Sequence, residues 1–381
     1  MKRLILFSIL FLISLLSVFK APTYHLWLLS IVVTEYCWVF IILTSIFLVI
    51  AGFRKCKYRV HATVIGVISL VLFCSPIVKA YILSSNLKYT KSQILGNNGI
   101  LGGDHLREPF SVLKMFASKP ELVKYSTKTY VSYPDTSLTL DYYPAQTPGN
   151  RPCVVVIHGG SWSSGDSRQL PELNNYLANA GYNVASINYR MVPNYKSPAP
   201  LEDVCAALDY LRFHGKELKI DTNNFVLLGR SAGAQIALLA AYKFYNPTIV
   251  GVVDFYGPAD MVWGYSKPAS KLVMDSRGVM ERYLGGTYKN VPQNYFASSP
   301  IEYVDKQSPP TLIIHGANDV LVAYEHSNRL SKKLKENNIK HYWLQLPWAT
   351  HGFDYNLNGP GGQLSTYIVE RFLKAVTYKP E

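Results

Sequence analysis

Hydrophobic residues follow two different patterns along this chain. In the first part they form three long runs, at residues 4–19, 26–53 and 62–78, that hold almost no charged residue. After about residue 126, short β-rich runs alternate with runs of helical periodicity. Long apolar runs are typical of membrane helices, whereas the alternating pattern is typical of a parallel sheet covered by helices. The chain therefore divides into a membrane region (1–83), a linker (84–125) and a folded domain (126–381).

The three apolar runs predict about three transmembrane helices. A hydrocarbon core of about 30 Å needs roughly 20 helical residues. With their flanking residues the runs predict helices over about 4–20, 26–53 and 60–82.

The middle run is longer than one crossing needs. It predicts either one tilted helix or an interfacial piece over 23–36 that leads into a span over 37–53. Glu35 is its single charged residue, and a lone carboxylate is costly at the centre of a bilayer. Glu35 therefore favours the second arrangement.

Basic residues predict the orientation of the helices. Residues 1–91 hold ten Lys or Arg and one acid, a net charge of +9, which leaves +4 of the total of +13 for the rest. Lys2-Arg3 and the basic loop 54–59 belong on the cytoplasmic side by the positive-inside rule. With three crossings, these charges predict a multi-pass protein with a cytoplasmic N-terminus and an extracytoplasmic folded domain. The first run is also read as a cleaved signal peptide, but no A-x-A-like site follows it, and an uncleaved anchor is preferred.

The folded domain is predicted to be an α/β domain with a mostly parallel, eight-stranded sheet. Continuous apolar runs such as 154–157 indicate strands that are buried on both faces. Strands are predicted at 128–133, 138–142, 153–157, 183–188, 225–228, 249–254, 311–314 and 341–346. Helices are predicted around 168–180, 198–214, 232–244, 324–335 and 363–378.

A G-x-S-x-G motif lies where a strand turns into a helix. Gly229-Arg230-Ser231-Ala232-Gly233 follows the apolar run 225–228 and precedes the helical pattern 235–241. At such a junction the motif forms a nucleophile elbow, a tight turn that exposes the serine hydroxyl. Gly229 and Gly233 permit the close approach of the chain, and Ser231 is the predicted nucleophile. The alternative is a chance match to a short pattern.

A second glycine motif follows another strand and predicts an oxyanion hole. It reads His158-Gly159-Gly160-Ser161-Trp162. Acyl transfer needs backbone N–H groups aimed at the developing oxyanion, and glycine lets the backbone come close enough. The predicted donors are the amides of Gly160, Ser161 and Ala232. His158, Gly159 and Trp162 are supporting residues, and the alternative is a simple glycine turn.

Two further loops supply an acid and a base. Asp319 follows the apolar run 311–314, and His351 follows the last predicted strand. With Ser231 they give the chain order Ser, Asp, His, each at the carboxyl end of a strand, as expected of an α/β-hydrolase triad. His351 takes the serine proton and later gives it to the leaving group, while Asp319 orients the imidazole.

Other acids and histidines fit these roles less well. Asp260 lies one strand too early and Asp354 is only three residues from His351. Structural roles are expected for the other candidate histidines, which are His158, His315 and His326.

These motifs together resemble the α/β-hydrolase superfamily, within it the hormone-sensitive-lipase-like and carboxylesterase group. Residues 188–193 (Asn-Tyr-Arg-Met-Val-Pro) resemble the YR-x-x-P segment of those esterases, and residues 201–204 resemble the helix start that follows it. The resemblance covers about 126–378 and implies hydrolysis of carboxylic esters. Many members have a third glycine where this chain has Ser161; the variant with a residue other than glycine also occurs in the arylformamidase-like branch.

Residues 257–308 interrupt the alternation of strands and helices. Their position at the carboxyl ends of the strands predicts a cap over the active site, and their aromatic residues suggest an apolar pocket. A surface excursion packed on the body of the domain is the alternative.

The remaining features limit the classes of function. The five cysteines have no metal-ligand spacing, and no basic–aromatic pattern indicates nucleic-acid binding. The sequence predicts a membrane-anchored serine ester hydrolase without metal or other cofactor, whose partners are a small-molecule or lipid ester and the bilayer. An amide hydrolase or acyltransferase with the same triad, a non-catalytic binding module and a complex assembled through Glu35 remain alternatives. The oligomeric state is not predicted.

Overall fold

A computed structural model describes residues 2–52, 58–89, 108–118 and 120–377 of the protein. Its centre is an eight-stranded sheet with the spatial order β1-β2-β4-β3-β5-β6-β7-β8. The eight strands are β1 Ser126–Ser132, β2 Ser137–Tyr143, β3 Arg151–Ile157, β4 Asn183–Ile187, β5 Ile220–Arg230, β6 Ile249–Phe255, β7 Thr311–Gly316 and β8 His341–Leu346. Each lies at a position predicted from the sequence.

The sheet is parallel from β4 to β8, while β2 runs antiparallel to both of its neighbours. The register aligns the carboxyl ends of the strands, with Ile157 opposite Gly229 and Gly316 opposite Leu346. The loops after β3, β5, β7 and β8 therefore emerge along one edge. In open α/β sheets this edge is the one where ligands bind.

Helices cover both faces of the sheet. Alternate residues of β3 enter different cores: Val155 packs in one, and Val154 and Val156 pack in the other. Burial on both faces explains why this strand is a continuous apolar run. The helices of the body are α5 Pro171–Asn179, α6 Ala199–Phe213, α7 Ala232–Lys243, α11 Glu325–Glu336 and α12 Pro360–Thr377.

Three short helices and a 3₁₀ turn occupy the segment after β6 that the sequence predicts as a cap. They are α8 Met261–Ser266, α9 Ser276–Leu284, α10 Pro292–Ala297 and the 3₁₀ turn Pro300–Tyr303. The ring of Tyr283 stacks on Trp162 with centroids 4.3 Å apart and planes within 3° of parallel. This stack fixes the segment to the loop after β3.

Four helices precede the sheet: α1 Lys2–Ser14, α2 Tyr24–Glu35, α3 Cys37–Gly52 and α4 Arg59–Tyr89. Among the described residues, α4 is the one helix long and apolar enough to cross a membrane, and α2 with α3 adds a second if the bent pair counts as one span. The described helices do not support the predicted three crossings. At about 1.5 Å per residue, α1 reaches only about 20 Å, less than a hydrocarbon core. The basic residues Arg54, Lys55 and Lys57 lie outside the described residues.

The prediction of one continuous helix over 26–53 is wrong, because the chain bends by 80° between α2 and α3. Tyr36 has non-helical angles, φ −118° and ψ 31°. The body of the protein binds the residue before it: the Glu35 carboxylate accepts from the Gly361 amide at 2.8 Å, and its carbonyl accepts from the Asn356 side chain at 2.9 Å. The alternative of two pieces therefore agrees with the structure.

The other predicted N-terminal boundaries also shift. The helix predicted over 4–20 ends as an α-helix at Ser14 and continues as a 3₁₀ turn over Leu15–Ser17. The helix predicted over 60–82 continues to Tyr89, into the predicted linker. Most of that linker lies outside the described residues.

The described end of the linker packs on the body of the protein. The helix expected around 109–117 is a 3₁₀ turn, Leu113–Phe116. Phe110 and Met115 are buried in the core beneath α12, and the Ser111 amide donates to the Gln363 side chain at 2.9 Å. These contacts attach the turn to the folded domain, one of the two positions that its sequence allows.

Candidate active site

Ser231 lies in a strained turn between β5 and α7. Its φ of 54° and ψ of −118° are unfavourable for a residue with a side chain. The Ser231 amide donates to the carbonyl of Phe255 at 2.9 Å, and this bond holds the turn against the neighbouring strand. Strain of this kind is typical of functional sites.

The two motif glycines have no room for a side chain. A Cβ on Gly233 would lie 2.2 Å from the Ile157 carbonyl oxygen and 2.3 Å from that of His158. A Cβ on Gly229 would lie 2.3 Å from the Gly233 oxygen. The elbow therefore packs directly against the end of β3, which brings the Ser231 turn beside the second glycine motif.

Asp319 and His351 meet above β7 and β8. The Nδ1 atom of His351 lies 2.7 Å from Oδ2 of Asp319. The other carboxylate oxygen accepts from the amides of Leu321 at 2.8 Å and Val322 at 2.9 Å. Such a carboxylate fixes the ring of His351 and leaves its Nε2 atom available to accept a proton.

Burial alone would raise the pKa of the Asp319 carboxyl. The imidazoles of His351 and His315 outweigh this effect and hold its pKa well below the usual range. His315 contributes through its Nε2 atom, 3.1 Å from Oδ2 of Asp319. The expected structural histidine therefore supports the acid of the site.

The loop after β3 has an unusual backbone. Gly160, Ser161 and Trp162 all have positive φ, at 121°, 55° and 58°. The carbonyl of Gly160 accepts from the amides of Ser163 at 3.0 Å and Ser164 at 3.1 Å, which closes the turn.

The predicted oxyanion donors are free to bind a ligand. Within the part of the chain that the structure describes, the amides of Gly160, Ser161 and Ala232 donate to no protein acceptor. Ala232 is the first residue of α7, where a helix leaves its N–H groups unsatisfied. Amides of this kind can stabilise the negative charge of a tetrahedral intermediate.

His158 and Trp162 support this loop from beneath. The His158 ring stacks on Tyr189 at 4.3 Å, and burial lowers its pKa. Trp162 donates from its indole nitrogen to the Gln235 side chain at 3.0 Å. Gly159 donates its amide to the Gln169 side chain at 2.8 Å. All three residues have structural contacts, in line with their predicted supporting role.

Ser231 opens onto two neighbouring cavities. A cavity of about 440 Å³ is lined by Ser231, His351 and the glycine loop after β3. The other, of about 570 Å³, runs from Ser231 and Asp319 beneath the segment after β6. Both volumes lie in the range of about 300–1,000 Å³ that small-molecule sites occupy.

The sequence missed a buried ionic cluster beside the site. Arg230, which directly precedes Ser231, donates from Nε to Asp354 at 2.5 Å. The hydroxyl of Tyr256 donates to the other oxygen of Asp354, and the Tyr256 ring lies 4.3 Å from that of His351. Asp354 is therefore not the acid of the site but an anchor for Arg230 and Tyr256. An arginine inside the G-x-S-x-G motif was the available signal for this cluster.

Asp260 and His326, the other acid and histidine considered from the sequence, have different partners. Asp260 caps α8 through the Trp263 amide at 2.8 Å and pairs with Arg329 at 2.8 Å. His326 lies behind it, and burial lowers the pKa of His326 to about 3. Neither is bonded to His351.

The N-terminal segment reaches the site, which the sequence did not predict. The indole nitrogen of Trp27, in α2, donates to the carbonyl of His351 at 3.0 Å. An amphipathic or apolar pattern indicates that a helix is buried but does not identify its partner, so no sequence signal pointed to this contact.

Asp254, at the end of β6, makes folding stability depend on pH. Its carboxyl is buried, with one oxygen bonded to the Gly257 amide at 2.7 Å and the other without a partner among the described residues. Burial raises its pKa from the ordinary 3.8 to about 7. The folded state therefore holds this proton more tightly than the unfolded state, and the contribution to stability falls as pH rises from about 4 through 7.

Asp254→Asn is expected to remove this pH dependence, because the amide accepts from Gly257 without ionising. The stability of the variant relative to wild type should rise by about 2–3 kcal/mol between pH 5 and pH 8. Urea unfolding in detergent micelles at the two pH values measures the difference. A difference that stays constant would mean that Asp254 does not titrate in this range.

Comparisons with known proteins show the family to which this chain is related. Residues 140–334, about half of the chain, match the model of the BD-FAE family. The probable carboxylic ester hydrolase LipM of Mycobacterium tuberculosis is 28% identical over 243 residues, which are 60% of this chain and 55% of LipM. Esterase LipC of the same organism is 28% identical over 243 residues, 59% of this chain and 58% of LipC. The match thus spans little more than half the length of these curated relatives.

A solved structure supports the fold. The acetyl ester-xyloside bifunctional hydrolase from Caldicellulosiruptor lactoaceticus aligns over 68% of this chain and 99% of its own, with a TM-score of 0.59 and 21% identity. At that identity the likeness establishes the α/β-hydrolase fold alone. From the matched region and the fold together, the chain belongs to the BD-FAE family, within the carboxylesterase group of the α/β-hydrolases.

Proposed function

We propose that this protein is a membrane-anchored serine hydrolase that cleaves carboxylic esters. Ser231 acts as nucleophile, His351 as general base and acid, and Asp319 as the carboxylate that orients His351. The observation that carries the proposal is the 2.7 Å contact between His351 Nδ1 and Asp319 Oδ2, in a site where His351 and the strained Ser231 line one cavity. The ester hydrolases among the relatives support the reaction class.

The reaction proceeds in two halves. Ser231 Oγ attacks the ester carbonyl carbon while its proton passes to His351 Nε2, and the amides of Gly160, Ser161 and Ala232 stabilise the oxyanion. The carbon–oxygen bond to the alcohol then breaks, and the alcohol leaves with the proton from His351. Water attacks the acyl-enzyme, giving its proton to His351, and the carboxylic acid and free Ser231 are released.

The N-terminal helices anchor the enzyme in the bilayer, with α4 as the candidate crossing. Its length of about 46 Å exceeds the hydrocarbon thickness. A cytoplasmic N-terminus and an extracytoplasmic catalytic domain remain predictions from the charge pattern.

Hydrolysis of a matched pair of substrates tests the reaction class. The protein in detergent micelles should release p-nitrophenol from p-nitrophenyl butyrate in a burst equal to the enzyme present, followed by slower turnover. The corresponding butyryl anilide should be hydrolysed far more slowly. Faster cleavage of the anilide would favour the amide-hydrolase alternative, and no turnover of either substrate would favour a binding module.

A further inference from the structure

The wall of the larger cavity includes residues from the N-terminal segment. Lys20, Ala21 and Pro22, between α1 and α2, line it together with residues of the segment after β6. Two hydrogen bonds fix this segment in place. The Tyr24 amide donates to the Leu272 carbonyl at 3.0 Å, and the Asn318 side chain donates to the Val18 carbonyl at 3.3 Å. The segment that joins the first two helices is thus part of the active-site structure.

The lining of this cavity suits an acyl chain. Its surface comes largely from apolar side chains, and Lys20, Lys267 and His326 line it as well as Ser231 and Asp319. Five of the apolar residues are Pro22, Val273, Val279, Met280 and Leu321. A mostly apolar lining binds apolar ligand surface, and Ser231 lies where it can meet an ester group of the same ligand.

The rim of the cavity exposes large apolar side chains beside the lysines Lys20 and Lys267. Leu272 is 70% exposed, and on the adjoining N-terminal segment Phe19 is 62% and Tyr24 45% exposed. The same segment continues into the apolar helices on either side. Exposed apolar patches of this kind mark contact with a membrane or a partner, and here the rim adjoins α1 and α2, which belong to the region proposed to anchor the protein.

We propose that the acyl part of the substrate is a long hydrocarbon chain, drawn from the bilayer into the 570 Å³ cavity past Leu272 and residues 19–24. This inference rests on the proposed ester hydrolase function and names its substrate class, a lipid ester. The chain lies between the N-terminal segment and the segment after β6, and its ester carbonyl reaches Ser231. The bond that breaks and the proton transfers are those of the proposed reaction.

The contact between Trp27 and His351 fits this arrangement. In α2, the Trp27 indole donates to the carbonyl of His351 and the Tyr24 amide donates to the carbonyl of Leu272 at the rim. The element that meets the lipid therefore also contacts the catalytic histidine loop.

A charge at the rim tests the inference. Leu272→Asp and the control Leu122→Asp, whose leucine is 82% exposed and lines neither cavity, are reconstituted in phosphatidylcholine vesicles. Two activities are measured on each: hydrolysis of dioleoylglycerol in the vesicles and of p-nitrophenyl acetate in the buffer. The ratio of the two is expected to fall by at least about tenfold in Leu272→Asp, because a carboxylate at an apolar interface is costly, and to stay at the wild-type value in Leu122→Asp.

The outcomes separate this inference from the proposed function. If p-nitrophenyl acetate is hydrolysed but dioleoylglycerol is not, or if Leu272→Asp leaves the ratio unchanged, the lipid inference is overturned and the ester hydrolase stands. If neither ester is hydrolysed, the proposed function fails and the inference with it. Dioleoylglycerol presented in detergent micelles identifies the source: equal rates in micelles and vesicles would overturn entry from the bilayer.

Discussion

Replacing Ser231 with alanine is expected to lower kcat for ester hydrolysis by at least about 10⁴-fold. Without Oγ no acyl-enzyme forms, and only binding and the oxyanion donors remain to accelerate attack by water. Alanine fits the site sterically, since it removes one atom from a residue whose backbone is held by the bond to Phe255. Covalent labelling with a fluorophosphonate probe, which reacts with activated serines, should disappear in the same variant.

Ser163→Ala is the matched control for this experiment. Ser163 lines the same 440 Å³ cavity and is exposed, and its hydroxyl is one of several donors to the Gly160 carbonyl. Labelling and turnover of this variant should stay close to wild type. Persistent labelling of Ser231→Ala would mean that another residue is the nucleophile.

Asp319→Asn is expected to lower kcat by about 10⁴-fold while the protein remains folded. The amide oxygen of asparagine can still accept from Leu321 and Val322. Its NH₂ group would then face Nδ1 of His351, which must accept and so loses its proton to Nε2. In that tautomer the ring cannot take the proton from Ser231, and about 10⁴-fold is the loss found when this happens in a serine protease.

Asp260→Asn distinguishes this role from a general effect of lost charge. Asp260 pairs with Arg329 and caps α8 but is not bonded to His351. We expect its substitution to leave kcat within a few-fold of wild type. Equal losses in the two variants would contradict the assignment of Asp319.

The pKa of the Asp319 carboxyl lies well below the usual range. Asp319 should therefore add no acidic limb to the pH profile of kcat/KM above about pH 4.

Local sequence patterns predicted the sheet well and placed the candidate site residues on loops that follow its strands. Strand β3 is apolar because both of its faces are buried. Glycine is required at 229 and 233 because a Cβ at either position would lie 2.2–2.3 Å from a backbone oxygen. These constraints act on neighbouring residues, so they leave a visible pattern. The loops that carry Asp319 and His351 follow from the parallel order of the strands, which aligns their carboxyl ends.

The same reasoning could not predict the contacts of the N-terminal region. Hydrophobicity of residues 24–35 predicts burial but does not distinguish lipid from the surface of a folded domain. Here α2 packs against the folded domain, with Trp27 against His351 and Glu35 against the start of α12. The helix break at Tyr36 depends on these distant partners, although the carboxylate of Glu35 was a correct indication of a break.

The bond between Glu35 and Gly361 also bears on how the protein is synthesised. The two residues are 326 positions apart, so α2 leaves the ribosome long before the start of α12 exists. Until then the Gly361 amide that binds the Glu35 carboxylate has not been made. The same holds for His351, the partner of Trp27. Assembly of the active site is therefore a late event, completed only when the last strand and helix dock onto segments made at the beginning.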